Sequence, residues 1–323
     1  MQLVINTYGA YLKKKDNCFL IKIEDRSQEV SVKKVSSILI TTSVLVSSDA
    51  LQLAVENNID VVFMDHFGEP FGRLWHSKLG STTLIRRKQL EASCSKEGLN
   101  FVKDWTTQKI NNQKAFLQKL KDKRPDNETL SPAIKNIESF IEKINNLTGT
   151  VDENRSTIMG YEGNASKNYF EALSSIMPEK YKFNGRSRMP AMDEFNAMLN
   201  YGYGVLYSKV EKACLIAGLD PYVGFLHADN YNKKSLVFDI IELYRDLIDQ
   251  TVVYLFTGKK VKDSFFDAYS TGMTLNKSGK ETLIKAINEA FDDTVRYKNK
   301  NIKNIDKIQF DCHEIAQTLL KES

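Results

Sequence analysis

Three stretches in the second half of the sequence carry acidic or imidazole side chains in settings that could do chemistry. The first is GYEGNA, which places Glu162 between two glycines. The second is LDPYVGFLH, which ends in His227, and the third is a helical stretch from Ser235 that carries Asp239 and Glu242. Carboxylates with one imidazole suit Mg²⁺ or Mn²⁺, and the imidazole favours Mn²⁺. Such ions polarise phosphoryl oxygens and activate a water or a 3′-hydroxyl for attack.

Each stretch also has an ordinary structural interpretation. Glu162 would lie in the first turn of a helix, where an acid complements the helix dipole, although it projects onto the apolar side of that helix. His227 could simply pack as a single histidine. Asp239, Glu242 and Asp246, at i, i+3 and i+7, could form a solvated acidic face. A short loop would fold His227 back onto that face, so the residues alone leave both interpretations open.

The elements that would position these residues fall into two unlike parts. The first eighty residues are rich in Val and Ile and predict short strands at 2–6, 18–23, 29–33, 37–41 and 59–65, with one helix at 48–57 capped by Ser48. From Leu84 onward the apolar period is 3.6, which predicts helices at 84–112, 113–120, 131–146, 165–177, 192–217, 235–256 and from 280 to the end. The change falls in RLWHSKLGS, residues 73–81. We therefore predict an α+β protein with a small β-rich domain over 1–80 and a larger all-α domain over 81–323.

Composition narrows the class of protein without defining its function. The chain has 45 Lys and Arg against 41 Asp and Glu, and a net charge of +4 does not by itself indicate a nucleic-acid partner. It contains no apolar run of about 18 residues, so we predict no membrane span, and its first residues lack the pattern of a secretory signal. The four cysteines are far apart, which favours packing in a reducing cytoplasm over disulfides or a zinc site. A GxSxG element and a phosphate-binding loop are both absent from the sequence.

Five ordered motifs match a known family in content and spacing. They are GYEGNASKNYF from 160, RSRMP from 186, DEFNAMLNYGY from 193, LDPYVGFLH from 219 and SLVFDIIELYR from 235. This set resembles the CRISPR-associated integrase, the DNA endonuclease of CRISPR adaptation modules, and the resemblance extends over essentially the whole chain. Two departures are the extra Asn168 in the first motif and Thr42, where the family commonly has glycine.

The resemblance implies a divalent-metal-dependent DNA endonuclease and integrase that uses Mg²⁺ or Mn²⁺. Such an enzyme inserts short duplex fragments into a CRISPR array by attack of a 3′-OH on the repeat boundary. Its implied partners are double-stranded DNA, a second copy of the chain and a small dimeric protein of the adaptation complex that bridges two homodimers. DNA binding should be directed mainly at the backbone and hence depend strongly on salt.

The resemblance also assigns residues. Carried over by position, the catalytic and metal-binding residues are Glu162, His227 and Glu242, with Asp239 as a fourth acidic group at the metal. Asp246 is left out of this set because relatives often have another residue there. The implied contacts to DNA phosphates are Arg186, Arg188, Lys233 and Lys234.

Three other functions stay open beside the integrase. The chain could be a stand-alone, structure-specific nuclease that acts on branched DNA, or a transposase-like integrase that joins the ends of a mobile element. It could also be a non-catalytic DNA-binding scaffold, although the complete set of Glu162, His227 and Glu242 argues against that. Co-purification with a small partner and a CRISPR array beside the gene would distinguish the CRISPR integrase from the stand-alone nuclease and the transposase-like integrase.

Overall fold

Two four-stranded sheets form the N-terminal part of the protein, in a computed structural model that describes residues 1–57, 59–74, 83–227 and 233–321. The strands are β1 (Gln2–Ile5), β2 (Tyr11–Lys15), β3 (Cys18–Ile23), β4 (Arg26–Ser31), β5 (Ser37–Ile40), β6 (Leu45–Val46), β7 (Asp60–Met64) and β8 (Pro70–Leu74). The first sheet has the order β1-β5-β7-β8 and is parallel except for β8. The second has the order β4-β3-β2-β6, an antiparallel meander to which β6 adds a parallel strand.

The first sheet is buried on both faces. Along β5, Ile38 and Ile40 join the core between the two sheets, whereas Leu39 points the other way into the core of the helical part. On β7, Val61 and Val62 divide in the same manner. Successive strand residues point to opposite faces, so a sheet covered on both sides needs continuous apolar runs. This explains the sequences SILI and DVVFM.

Ten α-helices lie in the described part of the chain. They are α1 (Ser48–Glu56), α2 (Thr83–Ser93), α3 (Lys96–Asp122), α4 (Leu130–Asn145), α5 (Val151–Ser175), α6 (Glu194–Ala217), α7 (Ser235–Ile241), α8 (Arg245–Thr257), α9 (Lys277–Asp292) and α10 (Asn304–Lys321). The central one is α6, which is apolar almost all round and mostly buried, as expected for a helix enclosed by others. Asp193 caps its start, and Gly218, at φ 83°, ends it in the left-handed conformation. In α1 the capping residue is Ser47 rather than the predicted Ser48.

A tight contact joins the sheets to α6. The turn between β7 and β8 approaches the helix so closely that a Cβ on Gly204 would overlap the carbonyl oxygen of Gly68. Beside it, Arg73 of β8 forms two buried ion pairs, at 3.1 Å to Asp60 and 3.0 Å to Glu211 of α6. Glycine and a buried charge network therefore fix how the β-rich part sits on the helices.

The predicted α+β class is confirmed, and two short hairpins add to the helical part. They are β9 (Phe266–Tyr269) with β10 (Gly272–Leu275), and β11 (Thr294–Tyr297) with β12 (Lys300–Lys303). The helical pattern predicted from 280 to the end is therefore wrong at the second hairpin, where Lys298 takes a positive φ of 52° in the turn. This turn interrupts what would otherwise be one helix.

The predicted domain boundary lies mostly outside the described residues. The last strand of the N-terminal part ends at Leu74 and α2 begins at Thr83, so residues 75–82 are not described. The division at residue 80 stays a prediction. Within the described ranges, none of the helices has the length and hydropathy of a membrane-crossing segment.

Candidate metal centre

Glu162 lies in the middle of a long helix rather than at its start. The helix α5 begins at Val151, after a capping box in which the Glu153 carboxylate accepts a hydrogen bond of 2.8 Å from the backbone N–H of Thr150. The prediction that a helix begins near 165 is therefore wrong. Glu162 is about three turns from the positive end of the helix, where the dipole no longer acts on it. The first-turn explanation for this carboxylate is thereby removed.

Glu162, His227 and Glu242 line one small cavity among α3, α5 and α7. Glu242 opens a 3-10 turn, Glu242–Tyr244, which separates α7 from α8 and interrupts the single helix predicted at 235–256. The break also separates Asp246 from the acidic face. Its carboxylate contacts Asn112 and Gln250 instead, and burial raises the pKa of Asp246 to about 6. The predicted catalytic residues thus meet, and Asp246 does not join them.

Asp239 does not point into the cavity with open oxygens. Its buried Oδ2 accepts hydrogen bonds from the backbone N–H groups of Phe225 at 2.6 Å and Leu226 at 3.2 Å. Its Oδ1 accepts from the backbone N–H of His227 at 3.0 Å and lies 2.7 Å from the Nδ1 of the same residue. Both oxygens are therefore already committed, and the structure argues against the expected role of Asp239 as a fourth metal ligand. The carboxylate instead orients the imidazole.

The backbone that carries His227 is held from several sides. The Arg155 guanidinium donates hydrogen bonds to the carbonyl oxygens of Phe225 and Leu226, while Asp239 receives the N–H groups. The Phe225 ring packs edge-on against Trp105 of α3, with ring centroids 5.3 Å apart. Since Nδ1 faces a carboxylate, it carries the proton in the tautomer that satisfies this contact, and Nε2 is left as the nitrogen for a ligand.

A lysine lies between the two glutamates. The Nζ atom of Lys109, on α3, is hydrogen-bonded to Oε1 of Glu162 and lies 2.5 Å from Oε2 of Glu242. Burial lowers the pKa of Lys109, but the two carboxylates outweigh it and raise the pKa. Burial likewise favours a neutral Glu242, yet Arg245 and Lys109 lower its pKa to about 2. The cavity thus holds a buried ammonium between the carboxyl groups of Glu162 and Glu242.

Arg245 connects Glu242 to a buried network of aromatic hydroxyls. Its guanidinium lies 2.9 Å from Oε1 of Glu242 and 4.5 Å from the centroid of the Tyr203 ring. The Asp249 carboxylate accepts hydrogen bonds from Tyr203 at 2.5 Å and from Tyr169 at 3.0 Å. Burial raises the pKa of Asp249 to about 6. Through Arg245, this network holds Oε1 of Glu242, whereas Lys109 contacts Oε2.

The residues present fit a divalent cation by their chemistry. Two carboxylates and one imidazole nitrogen are the donors expected of a Mg²⁺ or Mn²⁺ site, and a cationic group already lies between the carboxylates. Among the residues that the structure describes, no three His, Cys, Asp or Glu side chains stand close enough to hold one ion as they are. By residue type, Glu162, His227 and Glu242 are the side chains of this cavity that could serve as ligands of such an ion.

The four expected DNA contacts divide into two kinds. Arg186 and Lys234 are engaged inside the protein: Arg186 donates to Asn196 and Asn200 and lies between two aromatic rings, and Lys234 pairs with Glu211 at 2.5 Å. Arg188 and Lys233 are exposed. The charges of the exposed pair are the more accessible ones, and a phosphate contact by any of the four residues stays a prediction.

Sequence reasoning missed Lys109, and one signal could have found it. Val102, Trp105, Lys109 and Phe116 follow the spacing of the buried face of α3. A lysine on an apolar stripe needs a buried counter-charge, because an unpaired ammonium is very unfavourable away from water. That requirement would have pointed to the acidic residues of the cavity.

Comparisons with known proteins identify relatives along almost the full chain. The family described as CRISPR associated protein Cas1 matches residues 3–289. A CRISPR-associated endonuclease Cas1 from Archaeoglobus fulgidus is 34% identical over 316 residues, which covers 94% of this chain and 91% of that protein. A CRISPR-associated protein Cas1 from Methanobrevibacter ruminantium is 31% identical over 283 residues, 85% of this chain and 84% of the relative.

Solved structures share the fold. A casposase bound to its integration product superposes with a TM-score of 0.88 at 23% identity, covering 100% of this chain and 91% of that one. A Cas1 protein from Thermotoga maritima gives a TM-score of 0.84 at 23% identity, with 99% and 97% covered. A chain of a Cas6-RT-Cas1–Cas2 complex gives 0.83 at 20% identity and covers all of this chain but 35% of that one.

Proposed function

We propose that this chain, which belongs to the Cas1 family of CRISPR-associated proteins, is a divalent-metal-dependent DNA endonuclease and integrase that inserts short DNA fragments into a CRISPR array. The observation that carries the proposal is the convergence of Glu162, His227 and Glu242 on one cavity, with a cation between the two carboxylates. Glu162 on α5 is far in sequence from the segment that carries His227 and Glu242, and a solvated acidic face would not require these side chains to meet.

The reaction is a transesterification. A bond forms between the attacking 3′-oxygen and the phosphorus at the repeat boundary while the bond to the leaving 3′-oxygen breaks, so one phosphodiester replaces another. Bound Mg²⁺ or Mn²⁺ would stabilise the negative charge that develops on the phosphoryl oxygens. Glu242 keeps its negative charge at neutral pH because its pKa is about 2. Asp239 holds the His227 ring so that Nε2 can serve as a ligand.

Arg188 and Lys233 are the proposed contacts to DNA phosphates. Each is exposed, and each would release about one counterion when it contacts a phosphate. The changes Arg188→Ala and Lys233→Ala should each lower the slope of log affinity against log salt by about one. Arg186→Ala, which removes an internal contact, should lower thermal stability instead. An unchanged slope in a fluorescence-anisotropy salt titration of both exposed variants would remove them from the interface.

The proposed partners follow from membership of the family. We propose a homodimer that binds double-stranded DNA fragments and CRISPR repeat DNA together with a small dimeric partner protein. The Cas1–Cas2 complex among the structures of the same fold supports this choice. Affinity purification of the tagged chain from its own host should recover a small dimeric protein, and a strictly solitary chain would contradict the proposal.

An integration assay tests the proposed function. The protein is mixed with Mn²⁺, a labelled short duplex and a supercoiled plasmid that carries the repeat, with and without the small partner. We expect the label to join the plasmid at the repeat boundary. Cleavage of branched DNA without joining would favour a stand-alone nuclease, and joining of mobile-element ends in preference to generic duplexes would favour a transposase-like integrase.

A further inference from the structure

Lys109 occupies an unusual position for a lysine. It lies on the buried face of α3 with 6% of its surface exposed, and it contacts two glutamates that come from different elements, α5 and the turn after α7. The side chain of Glu242 is itself only 13% exposed. A buried ammonium is tolerated only when it is paired, and here both of its partners are proposed metal ligands.

We infer that Lys109 is the positioning residue of the metal centre: its ammonium holds Glu162 and Glu242 together in the metal-free protein and is displaced when the divalent ion binds. The inference rests on the proposed function, because it takes these glutamates as metal ligands. The geometry leaves both glutamates supported after the lysine has left. Ser166 still donates to Oε1 of Glu162 at 3.1 Å, and Arg245 still binds Oε1 of Glu242.

The sign of the effect follows from the two end states. Without Lys109, the metal-free protein loses the ion pairs that offset the repulsion between the two carboxylates, so it is less stable. In the metal-bound wild type, the displaced ammonium stays close to the divalent cation and repels it. A variant without this charge lacks the repulsion, so its metal-bound state is more stable. Both changes increase the free energy released on binding, and removal of the lysine should therefore tighten metal binding.

Two substitutions at Lys109 separate this role from simple packing. Lys109→Met keeps the length and apolar stem but removes the charge, and we expect its Mn²⁺ dissociation constant to fall at least tenfold. Lys109→Arg keeps the charge and can bind both carboxylates with its planar fork, so we expect Mn²⁺ to bind no more tightly than to the wild type. Lys114→Met is the matched control on the same helix, because its pair with Glu138 lies away from the cavity.

The measurement is a Mn²⁺ titration followed by electron paramagnetic resonance, with thermal unfolding in EDTA for each variant. We expect Lys109→Met to melt below the wild type in EDTA and to gain more from Mn²⁺. Equal or weaker Mn²⁺ binding by folded Lys109→Met would overturn the inference, as would tighter binding by Lys109→Arg. Glu242→Gln tests the metal centre separately from the role of Lys109. If the wild type and Glu242→Gln bind Mn²⁺ equally, or neither binds it, the proposed metal centre is refuted rather than the role of the lysine.

Discussion

The substitution Asp239→Asn tests how the structure positions His227. In the wild type, four donors converge on this one buried carboxylate: the backbone N–H groups of Phe225, Leu226 and His227, and Nδ1 of His227. Asparagine is nearly the same size but offers one oxygen and one NH₂ group. The oxygen can keep the two donors now at Oδ2, while the NH₂ group faces the two donors now at Oδ1.

The expected loss can be estimated from these contacts. A hydrogen bond to a charged acceptor contributes about 1.5–3 kcal/mol, and a buried donor left without an acceptor costs about 1–3 kcal/mol. His227 can relieve one of the two conflicts by moving its proton from Nδ1 to Nε2. We therefore expect Asp239→Asn to lower the free energy of unfolding by about 3 kcal/mol in the absence of metal. The proton shift blocks Nε2, so metal affinity should also fall, by about 10–100-fold.

Urea unfolding in EDTA and a Mn²⁺ titration measure the two effects separately. The control is Asp220→Asn in the same segment, because its Oδ1 accepts from the backbone N–H of Tyr222 and an asparagine oxygen can do the same. If Asp239 were a metal ligand with open oxygens, its neutralisation would leave the metal-free protein as stable or more stable. Unchanged stability in EDTA together with lost Mn²⁺ binding would refute the orienting role.

Three further predictions concern the fold around the site. Arg73→Met leaves two buried carboxylates without their guanidinium and should lower the free energy of unfolding, measured in urea, by about 3–5 kcal/mol. The control Lys15→Met breaks an exposed ion pair and should leave the free energy of unfolding unchanged. Equal effects of the two changes would contradict the buried network. Because burial raises the pKa of Asp249 to about 6, the folded protein binds more protons than the unfolded chain between about pH 4 and 6, and its stability falls as pH rises through that window. The free energy of unfolding of the wild type should therefore fall by about 3 kcal/mol from pH 4 to 7 on account of Asp249, and Asp249→Asn should lack this fall. A difference between the two proteins that does not change with pH would contradict the prediction. Gly204→Ala should lower the free energy of unfolding by about 1–3 kcal/mol, because its methyl group would meet the backbone of Gly68. The control Gly160→Ala, on an open helix surface, should be neutral or stabilising. The reverse order in thermal unfolding would contradict the close contact at α6.

The sequence predicted those elements whose burial pattern is local. IDVVFMD stands out as a strand because both of its faces are covered, and α6 stands out because it is long and mostly apolar. The strand β2, YLKKK, was missed because Leu12 is its one fully buried residue and three lysines follow it. The early start of α5 was missed because its first turns carry few apolar residues, although Thr150 and Glu153 signal the cap.

For the site, residue types and the family resemblance were enough to name Glu162, His227 and Glu242, and the structure brings these side chains to one cavity. The role of Asp239 could not be predicted, because its partners are backbone N–H groups of a loop whose path depends on tertiary packing. The position of Lys109 on an apolar stripe shows that it needs a buried counter-charge, but which carboxylates supply it depends on tertiary packing, since its contact with Glu162 spans 53 residues. Sequence patterns show which groups are present, whereas their pairing depends on how distant helices pack.

Strand transfer by single-residue variants is the most direct test of the central claim, that Glu162, His227 and Glu242 form the centre that joins DNA. Each is changed to alanine, and joining of a labelled duplex to repeat-containing plasmid is measured in Mn²⁺ at matched DNA occupancy, after circular dichroism has shown that the variants are folded. We expect each change to abolish joining while DNA binding persists. Full joining by any one of the three folded variants would contradict it.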